Sequence, residues 1–486
     1  MLSLAWALVT FAVHMLVVLR ALTRPNRSPA SRIAWIAVIL LAPFVGMIAY
    51  LLLGETSVGQ ARVERLRKAA REISPPDETS AAHGLLPQMA SLFDLARSVN
   101  GFQAVDGNRL VLLTDPEAPA DEPMRHSKCA IEAMLRDIAQ ATHQVHMAVY
   151  IWLDDHTGRR MAAAVADAAR RGVQCRVMVD ALGSRAFTRS ATWRQMSEAG
   201  VRLQVTLRDI ARWRHVAFSR VDLRDHRKIL VVDNRIAYCG SQNCADPEFR
   251  VKAQFAPWID LMIRCEGPVA RQMQWLFLSG WIPETGETGL EHLPAARGDQ
   301  CFESGCVAHM FGTGPTAIHN AMSDMFVACL YAAREELIIT TPYFVPDESI
   351  LRALCAAARR GVRTTLILPA RNDSWFVGNA SRSTYSDLLD NGVVLCEYPL
   401  GLLHAKSLTI DGRIALVGSA NMDRRSLELN YENSLLIADQ ATVGAIRQRQ
   451  MEYLSCSHAV TAEAVRTRPF YRRVVQNMVG MMAPVL

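Results

Sequence analysis

A chain of 486 residues, half of them hydrophobic and with 53 Lys and Arg against 47 Asp and Glu, is too long for one ordinary core and points to two or three domains. The net charge of +6 suits an anionic surface, but it is too slight to indicate a nucleic-acid partner. The eleven cysteines form no C-x2-C pair and no Cys/His grouping at zinc spacing, so no metal is expected. Cys239, Cys329 and Cys396 fall inside apolar runs, as small buried hydrophobes do in a reducing compartment.

The chain begins with two uncharged apolar runs, Leu2–Leu19 and Ile33–Leu53. Each approaches the roughly 20 residues of a membrane-spanning helix. A signal peptide competes for the first run, but no basic stretch precedes it. The expectation is a two-helix transmembrane hairpin over 1–54, with Pro43 as a tolerated kink. Arg20, Arg24, Arg27 and Arg32 lie around the connection, and Arg62, Arg65, Arg67, Lys68 and Arg71 follow the second run. These counts nearly balance and leave orientation open; cysteine usage favours the cytoplasmic side for the body. Residues 55–100 read as a juxtamembrane helix and a linker through Ser74-Pro75-Pro76-Asp77.

Beyond Gly101 the chain is duplicated. Helical periodicity near Ala130–Gln140, a strand at His146–Trp152, a helix at Gly158–Arg170 and a strand at Val173–Val179 are followed by the same series. The second set is a helix near Ala317–Ala333, a strand at Leu337–Thr341, a helix at Ser349–Arg360 and a strand at Val362–Leu368. Ala-Ala-Arg-Arg-Gly-Val recurs verbatim at 168–173 and 357–362. Alternating strands and helices imply α/β layers, with repeats over 101–300 and 301–486. The main length difference lies in a basic, aromatic loop carrying Arg208, Arg212, Trp213, Arg214, Phe218, Arg220 and Arg224. It suits a site or lipid headgroups as well as it suits a plain exposed loop.

Each repeat closes on one polar pattern: His226-Arg227-Lys228, Asp233-Asn234 and Gly240-Ser241-Gln242-Asn243, then His404-Ala405-Lys406, Asp411-Gly412 and Gly418-Ser419-Ala420-Asn421. Asp-Gly between apolar runs signals a type I′ hairpin. Side chains alternate along a strand, so the histidine and lysine share a face, and the returning strand sets the serine and asparagine beside them. The aspartate falls about 23 Å away at about 3.3 Å per residue, as a turn-former. Such a set gathers an imidazole, an ammonium, a hydroxyl and an amide, so that one neutral imidazole can act as nucleophile and a second as proton donor beside groups that stabilise negative charge. Neither half supplies both histidines, so the site is expected where the halves meet.

Both stretches match H-x-K-x4-D-x6-G-S-x-N and resemble the phospholipase D superfamily. Asn234 stands where that turn commonly has glycine, and asparagine tolerates positive φ. The resemblance implies two tandem phospholipase D-like α/β repeats forming one pseudo-two-fold unit. It also implies a catalytic set of His226, Lys228, Asp233, His404, Lys406 and Asp411, with Ser241, Asn243, Ser419 and Asn421 toward phosphate. A carboxylate downstream of each motif orients its histidine in this family: Asp260 after His226, and Glu432 after His404.

Arg24-Pro25, Ala34-Trp35, Thr341-Pro342-Tyr343-Phe344-Val345-Pro346-Asp347, Asn421-Met422-Asp423-Arg424-Arg425-Ser426 and the terminal Pro484-Val485-Leu486 further resemble bacterial cardiolipin synthases. That resemblance implies a bacterial inner-membrane phosphatidyltransferase acting on phosphatidylglycerol without a cofactor, with His226 as nucleophile by analogy. A phospholipase D-type hydrolase and a non-catalytic lipid-binding scaffold are the alternatives.

Overall fold

The structure, a computed structural model, describes residues 2–25, 27, 29–54, 59–76, 87–115, 117–119, 122, 124–208, 222–290 and 301–482. Arg212, Trp213, Arg214, Phe218 and Arg220 of the basic loop, and Pro484 to Leu486, lie outside these residues.

Three helices open the chain: α1 (Leu2–Thr23), α2 (Pro29–Leu41) and α3 (Pro43–Leu53). The second apolar run is therefore two helices and not one. Ala42, at φ −130° and ψ 71°, leaves the helical region, as a residue before proline tends to, and Pro43 starts the next helix without an N–H to give. Helices of 13 and 11 residues extend about 20 Å and about 17 Å, short of a bilayer core of about 30 Å. Among the described residues no helix is long and apolar enough to cross a membrane. The three helices pack on Trp35, Ile39 and Tyr50, with Trp35 edge-on to Tyr50.

The first repeat contributes β1 (Val105–Leu112), β2 (Gln144–Val149), β3 (Gln174–Asp180), β4 (Arg202–Thr206), β5 (Lys228–Val232), β6 (Ile236–Gly240), β7 (Trp258–Ile259) and β8 (Met262–Glu266). The second contributes β9 (Cys306–Thr313), β10 (Glu336–Thr340), β11 (Phe344–Val345), β12 (Arg363–Pro369), β13 (Val394–Tyr398), β14 (Leu402–Leu403), β15 (Ser407–Ile410), β16 (Ile414–Gly418), β17 (Met422–Asp423), β18 (Glu432–Ala438) and β19 (His458–Ala459). The strand order β4-β3-β2-β5-β6-β8-β1 is repeated as β13-β12-β10-β15-β16-β18-β9, and β1 pairs antiparallel with β9 to join the two into one sheet. Parallel pairs β2–β3 and β10–β12 arise because a helix returns the chain over the sheet; β5–β6 and β15–β16 are the expected hairpins.

Every residue of β5, β6, β15 and β16 is buried, which explains their unbroken apolar runs. Alternate residues divide between cores. Leu230, Val232 and Tyr238 face the helices of their own repeat, whereas Ile229, Val231, Ala237 and Cys239 meet Ala415, Val417 and Leu435 of the other repeat in a shared core. The segment expected as a linker contributes as well. Helix Pro87–Asn100 buries Leu92, Phe93 and Ala96 in the outer core of the second repeat.

Candidate active site

Each hairpin turns on two residues with positive φ: Asp233 and Asn234 at 51° and 56°, Asp411 and Gly412 at 51° and 64°. A type I′ turn requires this at both central positions, and asparagine substitutes for glycine at little cost. The aspartate side chains point away from the site. Asp233 accepts from the backbone N–H groups of Thr142, His143 and Gln144 at 2.9, 2.7 and 2.9 Å. Asp411 does the same for Arg334, Glu335 and Glu336 at 3.0, 2.8 and 2.9 Å. Both clamp the entry to the neighbouring strand, the place expected of turn-formers, at the far end of the hairpin from the histidines.

The histidines and lysines stand at the opposite ends of these strands, buried where the repeats meet. The carboxylates reach them by a crossed connection. His226 Nδ1 donates to Glu432 Oε2 at 2.9 Å, and His404 Nδ1 donates to Asp260 Oδ1 at 2.6 Å. Each histidine is thus held by the other repeat, which corrects the expected pairing of Asp260 with His226 and of Glu432 with His404. The backbone shows why. β7 leaves its own repeat to pair in parallel with β14, and the Ile259 carbonyl accepts from His404 N at 2.8 Å. On the other side Asp225 bridges Tyr431, whose carbonyl accepts from His226 N at 2.9 Å. The residue after each carbonyl is the carboxylate, so the crossing strand carries it to the imidazole.

Ser241 and Ser419, expected on phosphate, brace the carboxylates instead. Ser241 Oγ donates to Asp260 at 2.7 Å and accepts from Leu261 N at 3.0 Å. Ser419 Oγ donates to Glu432 and accepts from Asn433 N at 3.0 Å. Asn243 Oδ1 accepts from Ile151 N at 3.2 Å. The Asn421 side chain meets Ser426 Oγ at 3.3 Å, while the other end of its amide is buried with no partner. With that amide turned over, Ser426 donates to its oxygen and the NH2 is left for a ligand oxygen.

Two aromatic rings and a carboxamide escaped the sequence reading. Tyr150 packs edge-on to His226 at 4.8 Å between centroids, and Trp258 lies against His404 at 4.6 Å. Asn433 Oδ1 accepts from Lys228 N at 2.9 Å. Tyr150 directly follows β2, whereas the register of the two repeats sets Tyr343 level with Ile151; nothing local marks Tyr150, or Trp258, whose ring serves the other half.

Lys228 Nζ donates to the His226 carbonyl at 2.7 Å, and Lys406 Nζ to the His404 carbonyl at 2.6 Å. Burial pushes these lysines down, to about 8 for Lys228 and about 7 for Lys406. Burial, with the adjacent ammonium groups, lowers both imidazoles, His404 to about 4. Lys228 acts on His404 and Lys406 acts on His226, so the two motifs form one electrostatic site. Burial alone would raise Asp260 and Glu432, but the histidine and serine donors and the lysines hold both below the usual carboxylate range. An ionised carboxylate only accepts, so each neutral imidazole keeps its proton on Nδ1 and its lone pair on Nε2. Among the described residues no three His, Cys, Asp or Glu side chains group to hold a metal.

Two α/β repeats closing on paired His-x-Lys strands, each histidine oriented by a buried carboxylate, are the architecture of phospholipase D-like proteins. The family model described as cardiolipin synthase, PLD-like domain, matches residues 134–265 and 326–453, and the phospholipase D-nuclease N-terminal model matches 12–55. Cardiolipin synthase A of Cronobacter sakazakii is 39% identical, covering 97% of this chain and 96% of its own; that of Salmonella arizonae is 38% identical over the same shares. The chain belongs to the cardiolipin synthase family. Among solved structures, phosphatidylserine synthase of Haemophilus influenzae aligns with a TM-score of 0.58 and 13% identity over 82% of this chain and 98% of that one, a likeness of fold.

Proposed function

We propose that this protein is a cardiolipin synthase, a phosphatidyltransferase that joins two phosphatidylglycerol molecules and releases glycerol. The crossed histidine–carboxylate pairs carry the reading, because they hold the proton of each imidazole on Nδ1 and leave its Nε2 lone pair for chemistry. In the first step His226 Nε2 attacks phosphorus. The bond from phosphorus to the glycerol oxygen breaks, and protonated His404 gives its proton to that oxygen. In the second step the hydroxyl of another phosphatidylglycerol loses its proton to His404 and attacks phosphorus, and the bond to His226 breaks. The anionic phosphodiester itself favours the proton that His404 needs. Lys228, Lys406, Asn243 and Asn421 hold the non-bridging oxygens. His226 is given the nucleophile's role by family resemblance.

The organisation that accompanies this reading is a membrane-associated segment over 1–54, a connecting region over 55–100 and repeats over 101–300 and 301–486. The helices α1 to α3 leave Trp6, Phe11, Leu16, Leu41, Phe44 and Val45 exposed, which suits residence in the bacterial inner membrane; the cysteine usage favours the cytoplasmic side for the body.

The test is purified full-length protein in phosphatidylglycerol micelles, with products resolved by mass. Cardiolipin and glycerol in equal amounts are expected. Phosphatidic acid instead identifies a hydrolase, and no product identifies a scaffold. Alkaline quenching should also leave labelled phosphatidyl on histidine in wild type and none in His226→Ala.

A further inference from the structure

The helix Phe470–Met482 is mounted with its polarity reversed. At 3.6 residues per turn, Phe470, Tyr471, Val474, Met478, Met481 and Met482 share one contiguous side. These residues are between 38% and 77% exposed. The side packed on helix Trp375–Ser383 instead carries Gln476, Val479 and Gly480. Gly480 lies so close that a Cβ there would stand 2.6 Å from Ser383 Oγ, and Gln476 meets Arg468 at 3.4 Å. A helix that turns glutamine inward and methionine outward in water gives up burial of its largest apolar surface, so that surface has a non-aqueous partner.

Charge and position indicate which. The helix has no acidic residue, and Arg472 and Arg473 flank the apolar side. Trp375, 67% exposed, stands at the start of the supporting helix. That helix lies on β11, which pairs with β17 directly after Asn421. On the same segment Glu428 pairs with Arg27, beside α1 to α3, at 3.8 Å. Both exposed apolar surfaces thus attach to one rim, 421–429.

We propose that the Phe470–Met482 helix lies in the headgroup layer of an anionic phospholipid bilayer, its apolar side at the acyl boundary, and holds this rim against the lipid surface. The choice of a bilayer over a protein partner rests on the phospholipid reading above. The depth of the helix is read without any turnover, so the two readings fail separately.

The full chain carrying Cys301→Ser and Met478→Cys is spin-labelled at 478 and incorporated into phosphatidylglycerol vesicles, with the Cys301→Ser chain as the labelling background. Relaxation dominated by dissolved oxygen is expected; domination by an aqueous nickel chelate overturns the proposal. Label immobilised in detergent together with a doubled mass identifies a second copy as the occupant and equally overturns it. As a second measurement, Phe470→Glu/Met478→Glu should lower turnover on vesicles about tenfold, the loss expected when apolar area leaves the interface. Turnover of monomeric short-chain phosphatidylglycerol should not change. Equal losses on both substrates, or none on either, would count against interfacial docking.

Discussion

Replacing Glu432 acts on His226, the histidine of the other repeat. The Glu432→Gln amide no longer fixes the Nδ1–H tautomer, and it leaves a buried imidazole without its charged acceptor. Turnover should fall roughly 10²- to 10⁴-fold, the range for disabling a positioned acid or base. The imidazole nitrogen resonances of His226 should move while those of His404 stay; the reverse would mean that the pairing is not crossed. Asp233→Asn acts through the fold alone, since three N–H groups lose a charged acceptor. Urea unfolding should show a loss of about 1–3 kcal/mol with kcat within a few-fold of wild type. The lysines set the alkaline limb. Their ammonium forms are lost as pH rises through about 7 for Lys406 and about 8 for Lys228. kcat/KM for an anionic phosphodiester should therefore fall with a midpoint between those values, measured under salt and lipid conditions held constant.

At the scale of elements, short crossing strands govern the site. β14 follows Gly401, whose φ of 127° is open to glycine and whose Cβ position lies 2.3 Å from the Pro257 carbonyl oxygen. Gly401→Ala forces β14 away from β7 and draws Asp260 off His404. Turnover should drop sharply although the nearest hairpin is untouched, and the melting temperature should drop with it; unchanged kinetics would show that the crossing is not needed. The hairpins tolerate more. Asn234→Gly at a φ of 56° should leave both stability and rate close to wild type.

For the whole molecule, one composite site has a simple consequence. His226→Ala and His404→Ala chains should both be inactive, and mixing them should restore nothing, because each chain holds a single site built from both of its halves. Recovered activity in the mixture would require sites shared between chains. The shared core explains why the halves work as a unit. Ile229 and Val231 pack on Ala415 and Val417, so separating the repeats would expose the face that positions both histidines.

Much of this was present in local pattern. The duplication, the hairpins, the shared face of each His-x-Lys pair and the distant turn aspartates all follow from strand periodicity and turn chemistry between near neighbours. Contacts between residues 206 and 144 positions apart do not. Which carboxylate meets which histidine depends on the free strand edge that β7 and Tyr431 find, and that edge belongs to the other repeat. Once the carboxylates arrive from across the interface, the serines are drawn into bracing them and away from phosphate. The docking that turns the polar side of the last helix inward is likewise a tertiary outcome, whereas the break at Ala42 and Pro43 is local proline chemistry. The chain itself determined the chemical groups and their spacing along each strand; packing decided their partners, because hydrogen bonds between strands select an edge in space rather than a neighbour in sequence.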